Sequence, residues 1–179
     1  MDKHAKNALN GTKTKQNLID ASKNEALAYT KYSIFSDIAH EEEYEDISRM
    51  FSELAHNEKE HSELWLSYLN EFGTTMENLD SAIKGEIFEK ESYYPELARM
   101  AKEEGFEEIS EKFRMVGKVE SNHADMLTEN ADSLVKGTMF KGNADTKWVC
   151  LNCGYTTKGN TPPDTCPLCN YPKWYFKKQ

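Results

Sequence analysis

The chain has 179 residues, 30% of them charged and 38% hydrophobic, with a formal net charge of −9. Aromatic residues at 11% exclude a disordered composition. No apolar run approaches the roughly 20 residues of a membrane span, and the acidic balance argues against broad phosphate-backbone binding. The start, Met1-Asp2-Lys3-His4-Ala5-Lys6, has no apolar core of a secretory signal, so a cytoplasmic protein is expected.

The average hides a division. Residues 147–179 hold five lysines against the single acid Asp164, leaving them at +4, with all four cysteines and four of the five prolines. The other 146 residues hold 17 basic and 30 acidic side chains, or −13. Two modules of opposite charge are expected: 1–136, a linker over 137–146, and 147–179.

From Lys13 to Leu134 the only proline is Pro95, and helix formers dominate. Four windows carry apolar stripes with steps of three and four. The first runs from Leu18 through Glu25 and Tyr32 to Ala39, the second from Ile47 through Glu58 and His61 to Phe72. The third runs from Leu79 through Glu86 and Glu89 to Met100, the fourth from Ile109 through Glu120 and His123 to Leu134. Breaks fall at Glu41–Glu45, at Gly73-Thr74-Thr75 and at Gly105. Four helices of about 25 residues, their stripes forming one core, predict an antiparallel bundle.

Near the middle of each stripe, where a core should be driest, sits Glu. Five carboxylates aimed into one core would cost several kcal/mol each if unpaired. No Lys or Arg occupies the stripes, so an ion-paired polar layer does not answer the problem. Glu25 and Glu58 lie 33 residues apart around the first break, Glu86 and Glu120 34 apart around the third, as in a duplicated helix hairpin. Carboxylates with one imidazole per metal favour iron or manganese over zinc. The set, a Glu from each of two helices and Glu-x-x-His from each of the others, is that of ferritin-like di-iron carboxylate proteins. Five carboxylates with two ferric ions and an oxo bridge carry the same net charge as with two ferrous ions and no bridge. A further match, Glu53-x-x-His56, is off the stripe, so Glu53 and His56 should face solvent, like His4 and His40.

The tail holds Cys150-x-x-Cys153 and Cys166-x-x-Cys169, separated by 12 residues. That spacing predicts a tetrahedral tetrathiolate rather than disulfides. About 33 residues cannot build a sufficient core alone, so a metal clip is expected. Trp148, Tyr155, Tyr171, Trp174, Tyr175 and Phe176 would supply its small core. The thiolates accept zinc or iron alike. A neighbouring di-metal site, which needs electrons, leans the reading to iron.

Glu58-Lys59-Glu60-His61, Gly85-Glu86-Ile87-Phe88-Glu89 with Tyr93-Tyr94-Pro95, Glu120-Ser121-Asn122-His123 and the two C-x-x-C loops, in this order, resemble the rubrerythrin family over almost the whole chain. The resemblance implies a mainly α, ferritin-like four-helix bundle with a small C-terminal rubredoxin-like domain. It implies a non-haem di-iron peroxidase reducing hydrogen peroxide to water. Electrons would pass through the rubredoxin-like iron from a rubredoxin or a separate NAD(P)H-dependent reductase, in a head-to-tail homodimer. By the same resemblance Glu58 and Glu120 bridge the irons, Glu25 and Glu86 are terminal ligands, Glu89 and His61 alternate on one iron, and His123 stays on the other. Tyr32 and Tyr94 match tyrosines that hydrogen-bond around the site, though either could serve ordinary packing. A ferritin-like ferroxidase and a zinc-ribbon adaptor are the alternatives. The sequence departs at Ser22, where many relatives have an aromatic, at Tyr29, where many have Arg, and at Asn170, where Gly is usual.

Overall fold

The computed structural model describes residues 9–179, and His4 lies outside them. The chain divides into two compact units, one running to Thr74 and the other from Thr75 to Gln179.

The first unit is a helical hairpin, α1 (Lys13–Glu41) and α2 (Glu45–Leu69). Thr12 caps α1, its hydroxyl accepting from the Lys15 N–H at 3.2 Å. The second unit begins with α3 (Thr75–Phe88), a π-turn (Glu89–Tyr93) and α4 (Tyr94–Glu103), followed by α5 (Glu107–Val135). The third stripe is thus a helix interrupted by a wide turn rather than one regular helix.

Four helices stop in the same way. A left-handed residue, Glu43, Asn70, Gly105 or Gly137, follows the helix. The next residue reaches back: Tyr44 N–H to Ala39 O, Glu71 to Leu66, Phe106 to Ala101, and Thr138 to Ser133. This is the Schellman arrangement, which satisfies carbonyls the helix leaves open. Asn70 ends α2 three residues ahead of the break expected at Gly73. Asn is the non-glycine residue that best tolerates that conformation.

The paired helices approach most closely at small residues, with stripe aromatics meeting beside them, the Phe35 and Phe51 ring centroids 5.5 Å apart. α1 and α2 close on small residues, with Ser22, Ala39, Ser48, Ala55 and Ser62 buried. Ser62 Oγ donates to Ser22 O at 3.1 Å and Ser36 Oγ to Ser48 O at 2.8 Å. An aromatic at Ser22 would hold these backbones apart, so the departure there belongs to the close approach. In the second unit Ala98, Ala101, Ser110, Ala124 and Ala131 are the buried helical residues, and Ser110 Oγ donates to Ala98 O at 2.6 Å. The large stripe residues flank these seams and stay half-exposed, Ile47 at 44% and Leu54 at 37%. Tyr29 is exposed.

The C-terminal part of the second unit is a three-stranded antiparallel sheet in the order β2-β1-β3, with β1 Lys147–Cys150, β2 Thr156–Lys158 and β3 Phe176–Lys178. Its core is Trp148, Cys150, Cys166 and Phe176, with Tyr155 packed beside it. Trp148 Nε1 donates to Gly159 O at 2.8 Å. The expected aromatic core is only partly right. A 3-10 turn at Lys173–Tyr175 carries Trp174 outward, 70% exposed, and Tyr171 and Tyr175 form an edge-to-face pair at the surface.

Candidate metal centres

In the first unit, α1 supplies Glu25 and α2 supplies Glu58 and His61. One donor atom from each lies within 4.8 Å of the others. His61 Nδ1 is 3.0 Å from Glu58 Oε2. Burial, and then a hydrogen bond and repulsion from Glu58, push the Glu25 carboxyl above its ordinary value, opposed by His61. Two carboxyls therefore compete for one proton, as they would where a cation belongs.

The second unit repeats the arrangement with α3 and α5. Glu86, Glu120 and His123 bring their donor atoms equally close. His123 Nδ1 is 2.7 Å from Glu120 Oε2 and 3.5 Å from Glu86 Oε2. Burial, followed by the hydrogen bond and charge of Glu120, raises the Glu86 carboxyl, and Glu89 adds to the effect. Glu86 Oε2 is buried without a hydrogen-bond partner. A buried orphan oxygen beside a second carboxylate and an imidazole suits a hard divalent or trivalent ion, so the residues fit iron.

Glu89 stands at the start of the π-turn, outside these three-residue groups. It is near enough to act on both Glu86 and Tyr94. Burial first, then the carboxylates of Glu89 and Glu120, raise the Tyr94 phenol above its ordinary value, so it stays protonated. Tyr32 sits against Phe35 and Phe51, ring centroids 6.2 and 6.1 Å away. Glu53, His56 and His40 are exposed; His61 and His123 are also about half-exposed, and what sets them apart is their place beside Glu58 and Glu120.

The four cysteines form the third cluster. Cys150 and Cys169 sulfurs are 3.7 Å apart, as are those of Cys153 and Cys166. A disulfide requires about 2.05 Å, whereas a tetrahedron with metal–sulfur bonds of about 2.3 Å has edges of about 3.75 Å. The two loops are built alike. Gly154 N–H donates to Cys150 O and Asn170 N–H to Cys166 O, both at 2.9 Å. Gly154 and Asn170 are both left-handed, with φ of 74° and 58°, so Asn170 does the work of the usual glycine. Partial burial opposes ionisation of Cys169, but the Tyr171 N–H, the Asn152 side chain and the Cys153 and Cys166 thiols together outweigh it and hold the thiol at about 6, while Cys153 is pushed up in return. Asn152, between the first two cysteines, was not singled out from the sequence. Its position inside a C-x-x-C loop was the available clue.

Comparison with known proteins agrees with both modules. The rubrerythrin family model matches residues 16–131, and that of the rubrerythrin rubredoxin-like domain matches 148–177. The chain is 36% identical to a rubrerythrin of Clostridium perfringens over 95% of this chain and 96% of that one. It is 34% identical to a rubrerythrin of Porphyromonas gingivalis, over 95% and 92%. A solved structure of partially reduced nigerythrin is 29% identical over 94% of this chain and 87% of that one, with a TM-score of 0.36. With family models and full-length relatives matching both modules, the chain belongs to the rubrerythrin family, di-iron proteins with a rubredoxin-like domain that are implicated in oxidative-stress defence.

Proposed function

We propose that this protein is a peroxidase that reduces hydrogen peroxide to water, with electrons entering through the tetrathiolate from an external NAD(P)H-linked reductase or a rubredoxin. The observation that carries the reading is the pairing, in one chain, of two Glu–Glu–His groups with four cysteines placed to hold a metal ion. Glu25, Glu58, His61, Glu86, Glu89, Glu120 and His123 would hold the irons, and Cys150, Cys153, Cys166 and Cys169 a single further iron. Bound there, the irons would supply Lewis acidity and electrons for two-electron reduction.

The chain's own groups prepare the site. Glu25 and Glu86, held protonated more readily than ordinary carboxyls, give up that proton when a cation arrives. The Tyr94 phenol keeps its proton beside Glu89 and Glu120, so it is a hydrogen-bond donor to any oxygen nearby. Glu89, close to both Glu86 and Tyr94, can accept a proton from the reacting side. The oppositely charged modules would assist docking of one chain's tail on another's acidic helices in a homodimer. No helix of the described chain is long and apolar enough to cross a membrane, and we place the reaction in the cytoplasm.

The test is anaerobic titration of the reduced, iron-loaded protein with hydrogen peroxide. One equivalent should oxidise each di-iron site. Cys169→Ser should lose the thiolate chromophore and donor-driven turnover while the chemically reduced site still consumes its one equivalent. If that pre-reduced variant reacts no faster than oxidised protein, the division of labour is wrong.

A further inference from the structure

Beside the carboxylate groups, the second unit carries a groove of about 630 Å³ where α4 meets α5. That volume lies within the range of small-ligand sites. Its apolar lining is Tyr94, Pro95, Ala98, Phe113 and Gly117, two of them aromatic. The Tyr94 and Phe113 rings are 6.3 Å apart and tilted by 41°. A Cβ at Gly117 would come within 3.2 Å of Tyr94 Cβ, so the glycine lets the two helices approach beneath Tyr94.

The rim is cationic. Arg99 is engaged by Glu96 and Glu103, and Arg114 by Glu111. Lys90, Lys102 and Lys118 make no ion pair among the described residues, and Glu91 is the one carboxylate in the lining. These free charges gather on a module whose net charge, with them counted, is −13. Lys90 and Lys102 are twelve residues apart, about 18 Å along the helical axis. A monoanion would leave most of this rim unmatched. A flat ring carrying a phosphate matches both the floor and the rim.

We propose that this groove binds a phosphate-bearing nucleotide, its ring against Tyr94 and Phe113 and its phosphate against Lys102 and Lys118. The binding is a property of the helices and does not rest on the peroxidase reading. Tyr94 belongs both to the groove floor and to the electrostatic surroundings of Glu86 and Glu120, so a bound ring would sit one side chain from the second carboxylate group.

Flavin mononucleotide is the probe, with equilibrium dialysis of the full-length protein as the assay. Saturable uptake of one molecule per chain is expected, displaced by adenosine diphosphate and reduced by added salt. Lys102→Glu with Lys118→Glu should weaken it about tenfold or more, the scale of a lost charge-assisted hydrogen bond. Lys102→Ala with Lys118→Ala, which adds no repulsion, should act in the same direction. Riboflavin, the same ring without phosphate, should bind correspondingly less. Absence of saturable uptake, equal uptake by both double variants, or riboflavin binding as tight as the phosphate ester would overturn the proposal. So would loss of self-association in the double variants without nucleotide binding by the parent, which would make the groove an interface between copies.

Discussion

α2 contains two Glu-x-x-His sequences five residues apart, about 140° around the helix at 3.6 residues per turn. Glu53 and His56 are exposed, whereas Glu58 is drawn in beside Glu25 and 3.0 Å from His61. Replacing His61 by Ala therefore removes a donor from a clustered group, and replacing His56 removes a solvated side chain. At a free iron concentration a hundredfold above Kd, metal binding adds about 2.7 kcal/mol to stability. Even outer partners of metal ligands are worth 10–100-fold in affinity. A hundredfold loss at His61→Ala would leave about 0.4 kcal/mol of that increment. At about 2–4 °C per kcal/mol for a chain of this size, the iron-dependent rise in Tm should fall from about 5–10 °C to about 1–2 °C. His56→Ala should keep the rise, with stability within about 0.5 kcal/mol of the parent. Anaerobic calorimetry with and without ferrous iron, together with iron content, reads both. Glu58→Gln sharpens the test, because it relieves the crowding that raises Glu25. In the metal-free chain its Tm should stay level or rise, while the iron-dependent increment disappears. A variant that merely damages the fold would lower both. Loss of the increment in His56→Ala with His61→Ala unaffected would refute the helical phasing.

The raised carboxyl of Glu86 makes a pH prediction for the metal-free protein. Its protonated form is favoured in the fold, so its contribution is present at acid pH and is lost as pH rises through the raised value. Glu86→Gln should flatten the fall in Tm towards neutral pH, and parallel slopes for parent and variant would contradict this. The helical glycines should also respond differently. Gly85 has nothing within 4 Å of an added Cβ, so Gly85→Ala should gain about 1 kcal/mol of helix propensity. Gly117→Ala gains the same propensity but crowds Tyr94 at 3.2 Å, and should end near or below the parent. Equal stabilisation by the two, read by thermal melting, would mean that the α4–α5 contact is looser than described.

The clustered Glu, His and Cys residues were legible because their spacing is local. Glu-x-x-His and C-x-x-C put donors on one helical face or one loop whatever the rest of the chain does. The seams were not legible. Ser110, Gly117, Ala124 and Ala131 recur every seven residues, as do Ser48, Ala55 and Ser62, but such residues contribute little to a hydrophobic stripe. Their importance is the backbone approach they permit and the hydroxyl-to-carbonyl bonds they make across it. The stripes gave the helical phase, and Phe35 and Phe51 do meet across α1 and α2, but the closest backbone approach lies at the small residues beside them. Trp174 misled in a related way. Aromatic content pointed to a core, but Trp148 and Phe176 already fill the small sheet's interior, and the Lys173–Tyr175 turn leaves Trp174 outside.

The π-turn joins sequence, local structure and chemistry most directly. Pro95 has no N–H to give to the Glu91 carbonyl, and in a regular helix its ring would press against that carbonyl. The wider turn one step upstream absorbs the conflict, with Tyr94 N–H donating instead to Glu89 O, five residues back. Such turns concentrate at functional sites because the extra residue re-aims what precedes and follows it. Here it begins at Glu89, three residues after Glu86, and ends at Tyr94, which packs over Gly117. Glu86 is held by α3 in contact with Glu120 and His123, and Glu89, at the first residue of the wide turn, is near the group but outside it. Pro95 thus goes with a wide turn that opens at Glu89, the carboxylate that stands near the Glu86 group without joining it.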